Sequence, residues 1–175
     1  VRAFPTLHDS RASVGYRFEF GGISVGYMTD TGCVTDRMEQ MLSGCEAVVL
    51  ESNHDEQLLL SGPYPYELKL RIRSNRGHLS NRDAAALAAR LAERGTRHFL
   101  LAHLSETNNY PAIAYDETAS ALAGSGATVA VAEPRDITML VGAVGEPVAR
   151  AGARMPAAAG GAERSAASAM GGALL

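Results

Sequence analysis

The stretch at residues 26–32, GYMTDTG, constrains the fold more than any other part of the chain. It reads as a buried strand that runs out into a tight polar turn and leaves one carboxylate, Asp30, at the strand's end. Gly32 frees the turn, and the flanking threonine hydroxyls can orient the carboxylate. Asp30 is therefore placed to ligate a metal or to accept hydrogen bonds. A lone carboxylate at a strand end says little, but four further groups surround it in chain order: His8, Glu51, His78 in GHLSN and His103 in AHLS.

The remaining segments alternate between strand and helix signals. Residues 13–28 carry two β-rich runs around Gly21-Gly22, the pattern of a hairpin with a primed turn. His8 precedes it in LHDS, an irregular stretch where an imidazole can be aimed at a site or simply face solvent. Residues 35–42 place Met38, Met41 and Leu42 at helical spacing before Gly44, with the methionines as core filler. EAVVLES is a continuous apolar run, which predicts a strand buried on both faces. Glu51 closes it, where open α/β sheets gather their ligands, although a carboxylate there can also cap a neighbouring helix. Asn53, His54 and Asp55 read as a local hydrogen-bonded cluster holding a loop.

After the turn GPYPYE, the segment ELKLRIR alternates strictly and predicts a strand. Leu68, Leu70 and Ile72 would share one face, with Lys69, Arg71 and Arg73 on the other and Arg76 just beyond. Such a charged face is either solvated or a stripe that meets phosphate. The best-specified helix follows, with Ser80 and Asp83 at its start, an apolar stripe of Ala84, Leu87, Ala88 and Leu91, and Gly95 at its end. His78 and Ser80 stand at its N-terminus, where free N–H groups favour an anion, so they are candidate phosphate neighbours or simple capping residues. HFLLAHLS is another buried strand with His103 at its exit and His98 at its start. A helix at 116–123 and strands at 127–132 and 135–142 complete the ordered part. Residues 143–175 are dominated by Ala, Gly, Ser, Pro and Arg, and a disordered tail is expected there.

Composition narrows the class. With 175 residues, 46% of them hydrophobic, and a formal charge of -3, the chain suits one α/β domain with a sizeable core and no overall basicity. Cys33 and Cys45 stand outside any C-x-x-C spacing and read as reduced thiols of a cytoplasmic protein. The N-terminal residues show no leader pattern, and no apolar run reaches membrane-spanning length, so no membrane association is expected. The chain begins with Val, which is read either as a GTG start or as the loss of a front half.

LHDSRASVGYRFEFGGISVGYMTDTG, LESNHDEQLLLSGPYPYELKLRIRSNRGHLSN and LAHLSETNN, in that order, resemble the second half of a metallo-β-lactamase-fold hydrolase, most closely the YycJ/WalJ type. The resemblance implies a partial αββα sandwich over residues 1–142, mainly its C-terminal half. It implies a site for two divalent metals, zinc or manganese, in the intact protein. His8, Asp30 and His103 are similar to the metal ligands, Asp30 being the bridging one. Glu51 and His78 resemble an acid-base pair of tRNase Z-like relatives, with Ser80 close to a phosphate; Arg71 and Arg73, from the charged face of ELKLRIR, are further candidate substrate contacts. The implied activity is metal-dependent phosphodiester hydrolysis of DNA or RNA. Two alternatives stay open: a non-catalytic remnant that binds nucleic acid or a partner, and a small ester or thioester hydrolase. The chain contains no H-x-H-x-D-H, the motif that supplies most ligands in this family. Weak metal binding is therefore expected of the chain alone, as is an exposed apolar sheet face needing a partner, a homo-oligomer being one form.

Overall fold

A computed structural model describes residues 1–132. Six strands and five helices follow in the order β1 (Arg2–Pro5), β2 (Val14–Phe20), β3 (Ile23–Met28), α1 (Asp36–Leu42), β4 (Ala47–Glu51), α2 (Glu56–Ser61), α3 (Tyr66–Arg73), α4 (Asn81–Glu93), β5 (His98–Ala102), α5 (Pro111–Ala121) and β6 (Thr128–Val131). The strands form one sheet in simple sequence order. β1, β2 and β3 pair antiparallel, whereas β3 through β6 pair parallel. The tight turn between β2 and β3 has positive φ at both Gly21 (59°) and Gly22 (81°), as a primed hairpin turn requires.

Each parallel connection steps the same way along the sheet, so crossovers of common hand put their helices on a common face. The core lies there. Met28, Val48, Leu50 and Phe99 from the strands meet Met38 and Leu42 of α1 and Leu87, Ala88 and Leu91 of α4. α4 is the main slab: Ser80 caps it by accepting from the Asp83 N–H, and its apolar stripe is fully buried as its spacing predicts. The opposite face is much less covered. Phe18 is 41% exposed and Tyr27 38%, and Tyr16, Val25, Val49 and Leu100 are only half-buried. EAVVLES is thus buried fully on one face, not both, because among the described residues only one side of the sheet carries helices.

The segment ELKLRIR is not a strand. It forms α3, entered through Pro65. Its alternation was satisfied by Leu, Lys and Arg, which are strong helix formers, with Ile72 the only β-branched residue. In the helix, Leu68 and Ile72 lie four apart on one side, while Leu70 is 47% exposed. The charges are dispersed for the same reason. Lys69 turns to the carbonyls of Leu60 and Gly62 at 2.7 and 2.8 Å, and Arg71 leaves the helix on a different side from Lys69 and Arg73, so the three do not form the single stripe expected of a strand.

Smaller departures have local causes. α5 begins at Pro111, five residues before the expected start, because proline suits the first helical position. β1 and the short α2 carried no sequence signal of their own. Asp55 caps α2 by accepting from the Leu58 N–H at 2.8 Å. Both cysteines are free, and no helix among the described residues is long and apolar enough to cross a membrane. The strand expected at 135–142 and the tail at 143–175 lie outside the described residues.

Leu70→Ala separates the helical from the extended assignment of α3, with Leu87→Ala of α4 as the buried reference. Leu87→Ala, in the core, is expected to cost about 2–5 kcal/mol in urea unfolding. Leu70→Ala is expected to stay within about 0.5 kcal/mol, whereas a strand with Leu70 on its buried face would lose several-fold more.

Candidate metal centre

Five of the polar residues singled out in the sequence converge at the C-terminal ends of the parallel strands. Asp30 follows β3, Glu51 ends β4, His103 follows β5, and His78 sits just before α4. His8 reaches in from the loop after β1. That loop is tied to the Asp30 turn by the Gly32 N–H donating to Leu7 O at 2.9 Å and the Leu7 N–H to Thr31 Oγ1 at 3.2 Å. Gly32 is required here: a Cβ would fall 2.2 Å from Ser74 O.

Glu51 holds the cluster together. It is fully buried, and its Oε1 accepts from His78 Nδ1 at 2.8 Å and from His103 Nδ1 at 2.7 Å. Its Oε2 accepts from the backbone N–H groups of Thr31 at 3.0 Å and Leu79 at 3.1 Å. Burial on its own raises this carboxyl, but the bonds from His103, His78 and the Thr31 N–H outweigh it and bring the pKa down to about 2. His103 is raised, chiefly by its bond to Glu51 and against the effect of its own burial.

The acceptors fix the tautomers. A carboxylate and a carbonyl can only accept, so Nδ1 carries the proton in His78, in His103 and in His8, whose Nδ1 donates to Gly77 O at 2.9 Å. All three imidazoles thereby present an Nε2 lone pair. The His8 and His103 Nε2 atoms lie 3.9 and 3.8 Å from Asp30 Oδ1, and Thr29 Oγ1 steadies Oδ2 at 3.1 Å. The His78 ring centroid lies 4.8 Å from that of His8 and 5.1 Å from that of His103.

This donor set fits a divalent cation. Two ligand atoms bound tetrahedrally at about 2.0–2.2 Å lie roughly 3.3–3.6 Å apart, so a small rotation of the partly exposed Asp30 closes the gaps. Asp30, Glu51, His78 and His103 also offer donor atoms within 4.8 Å of one another. Within that set Glu51 is the member least suited to touch a metal, since both of its oxygens are already saturated. It acts by orienting imidazoles, as the outer partners of metal-bound histidines do. Asp30 and His103 are the two non-glycine residues with positive φ among those described, at 57° and 59°. Backbone strain of this kind collects at functional sites.

The other expected residues are placed as follows. Arg71 reaches the rim of the cluster, where its guanidinium pairs with Asp9. Arg73 is exposed on α3 and does not line the adjoining cleft. Ser80 is buried and its hydroxyl is engaged with Asp83. Asn53 does hold a loop, through Nδ2 to His103 O at 2.8 Å. His54 is 2% exposed with its Nδ1 unpartnered, and burial pushes it down to about 4. His98, at the far end of β5, bonds Thr128 Oγ1 at 2.9 Å. Sequence reasoning missed Asp9, whose Oδ1 is 3.3 Å from His8 Nε2; its adjacency in LHDS was the available signal.

A beta-lactamase superfamily domain matches residues 1–104. The chain is a member of the metallo-β-lactamase superfamily. It is 41% identical over 114 residues to exodeoxyribonuclease YycJ of Bacillus anthracis, covering 65% of this chain and 43% of that protein. It is 37% identical over 131 residues to exodeoxyribonuclease WalJ of Streptococcus pneumoniae, covering 75% of this chain and 49% of the relative. The chain thus spans about half the length of the curated relatives it matches. The crystal structure of the metallo-β-lactamase fold protein YhfI from Bacillus subtilis shares the fold, with a TM-score of 0.54 at 18% identity over 75% of this chain and 45% of that one. The resemblance to the YycJ/WalJ type is borne out, and a superfamily fold of this kind implies a divalent metal.

Two measurements follow from the geometry. At Asp30, Gly and Ala both remove the carboxylate, but only Gly relieves the left-handed backbone. Asp30→Gly is expected to be more stable than Asp30→Ala by about 1–2 kcal/mol in denaturant unfolding; equal stabilities would mean that residue 30 carries no strain. The second concerns His54, which the charges of Glu51, His78, Asp83 and Arg73 face. Its folded pKa of about 4 lies below the ordinary 6.5, so its contribution is full above pH 6.5 and lost as pH falls toward 4. The metal-free chain should lose about 3 kcal/mol across that window, and His54→Leu should flatten the loss there.

Proposed function

We propose that the chain contributes half of the active site of a cytoplasmic, metal-dependent DNA exonuclease. The observation that carries this is the single buried carboxylate that grips His78 and His103 by Nδ1, with His103 Nε2 3.8 Å from Asp30 Oδ1. Two relatives of the chain bear the name exodeoxyribonuclease, which supports DNA as substrate and cleavage from an end.

His8, Asp30 and His103 would hold divalent cations, with Asp30 shared between two of them and zinc or manganese as the ions. When bound, such a pair supplies positive charge at the phosphate oxygens and lowers the pKa of nearby water toward neutrality. His78 takes a different part. With Nδ1 held by Glu51, its Nε2 lone pair takes up a proton from solvent, and the ring then donates that proton to the departing oxygen of the cleaved strand. Glu51 keeps the ring in register and offsets the charge the imidazole bears before that transfer. Two ions take on the order of four ligands each, whereas the ligand set proposed among the described residues is three protein donors with one shared. The chain alone is therefore proposed to bind metal weakly and to lack activity, with further donors joining from outside these 175 residues.

The test uses the polypeptide read from the frame extended upstream of Val1, supplied with Mn²⁺ or Zn²⁺ and offered linear DNA, RNA and a thioester. Progressive shortening of DNA is expected. Asp30→Ala and His103→Ala should each lower kcat/KM by more than the roughly 10–100-fold typical of outer-partner losses. His78→Ala should lower kcat by about 10²–10⁴-fold with metal content unchanged. Thioester hydrolysis with intact DNA would replace this proposal with the ester reading, and salt-sensitive DNA binding without cleavage would replace it with the binding remnant.

A further inference from the structure

A cleft of about 430 Å³ opens beside His78 and His103 and runs outward to α3. Its volume falls within the roughly 300–1,000 Å³ of small-molecule pockets. Tyr64, Leu68 and Ile72 supply apolar lining, each only half-buried. Leu68 and Ile72 lie four apart on one side of α3, and Tyr64 stands just before Pro65 at the start of that helix. Arg71 also lines this cleft, its side chain 65% exposed and paired with Asp9 at the rim. The cluster described above leaves this apolar wall unused.

On the proposal that the neighbouring cluster cleaves DNA, we infer that this cleft seats the terminal nucleotide of the strand, its base against Tyr64, Leu68 and Ile72 and its phosphate beside Arg71. Two observations favour a single nucleotide over a length of duplex. First, α3 is a helix, so Lys69, Arg71 and Arg73 do not form a track for the backbone, and the chain's formal charge is -3. A protein that follows many phosphates needs a basic footprint. Second, the apolar side chains line the same cleft as His78 and His103, so a base seated on them keeps the adjoining phosphodiester close to those imidazoles. A flat ring gains from stacking on aromatic and aliphatic side chains whatever its identity, which suits an enzyme that must accept each base in turn. The base has to leave its own stack to enter, so an unpaired end is the form that fits.

The test separates this cleft from the hydrolytic reading. Binding of dAMP and of 2-deoxyribose 5-phosphate to the protein is followed by NMR titration, using the chain and the polypeptide extended upstream. dAMP is expected to bind about 5- to 150-fold more tightly than the sugar phosphate, with shifts at Tyr64, Leu68 and Ile72. Tyr64→Ala should remove most of that preference, and Arg71→Ala should weaken both probes alike. In cleavage, Tyr64→Ala should slow a normal terminus about 5- to 150-fold and leave an abasic terminus at the wild-type rate. Equal affinities for the two probes, or equal losses on both termini, would overturn the subsite even if DNA is cleaved. A dAMP preference that Tyr64→Ala abolishes, in a protein that cleaves no DNA, would uphold the subsite and overturn the exonuclease.

Discussion

Glu51 accepts four hydrogen bonds at the tip of β4, and each donor belongs to a different part of the chain or a different kind of group. An ionised carboxylate with no exposed surface is tolerated only when its lone pairs are filled, because the loss of hydration would otherwise cost several kcal/mol. Thr31 belongs to the Asp30 turn, Leu79 and His78 to the approach to α4, and His103 to the exit of β5. The demand of one charge for partners therefore draws three loops to one point. Stability and site geometry share this interaction, because the bonds that satisfy the carboxylate are also the ones that orient the imidazoles.

The loops that Glu51 gathers are themselves braced. Asn53 holds the His103 carbonyl, and Asn109 donates to Ser52 O and Asn53 O while bonding the Asn81 side chain. Ser52 in turn donates to Asn81 Oδ1 at 2.7 Å. Amide side chains suit this buried position because each can donate and accept at once, so a closed network leaves few orphans. Such bracing is what allows His103 and Asp30 to sit at positive φ. A residue held in a disfavoured backbone region persists only where its surroundings over-determine it.

Much of this was legible in the chain itself, and the exceptions have causes. The runs around Asp30, Glu51 and His103 announced themselves because parallel strands need apolar residues and end in polar ones. α4 was readable because its cap, its stripe and its terminating glycine agree with one another. α3 was not, since five residues of alternating Leu, Lys and Arg satisfy a period of two while preferring a helix on propensity. That error carried a functional one with it: the basic stripe existed only in the extended geometry. Ser80 shows a different limit. Its place before a helix suited a phosphate as well as a cap, and only the contact with Asp83 separates the two. Asp9 and Tyr64 were missed because their importance arises from α3 folding back over the His8 loop, a contact between residues some 60 positions apart in the Asp9–Arg71 pair.

Among the described residues, the less covered sheet face and the candidate metal donors are linked by geometry. Val49 and Leu100 lie on that face one turn of the pleat before Glu51 and Ala102, and the strand tips they lead to carry the cluster. Any layer that covered Tyr16, Tyr27, Val49 and Leu100 would end beside Asp30 and His103. Apolar burial scales with area at about 25 cal/mol per Å², so the strongest force available to such a layer acts at a distance from the metal donors, on residues with no chemistry. On the function proposed above, packing that hides the aromatic face would also carry additional donors toward Asp30.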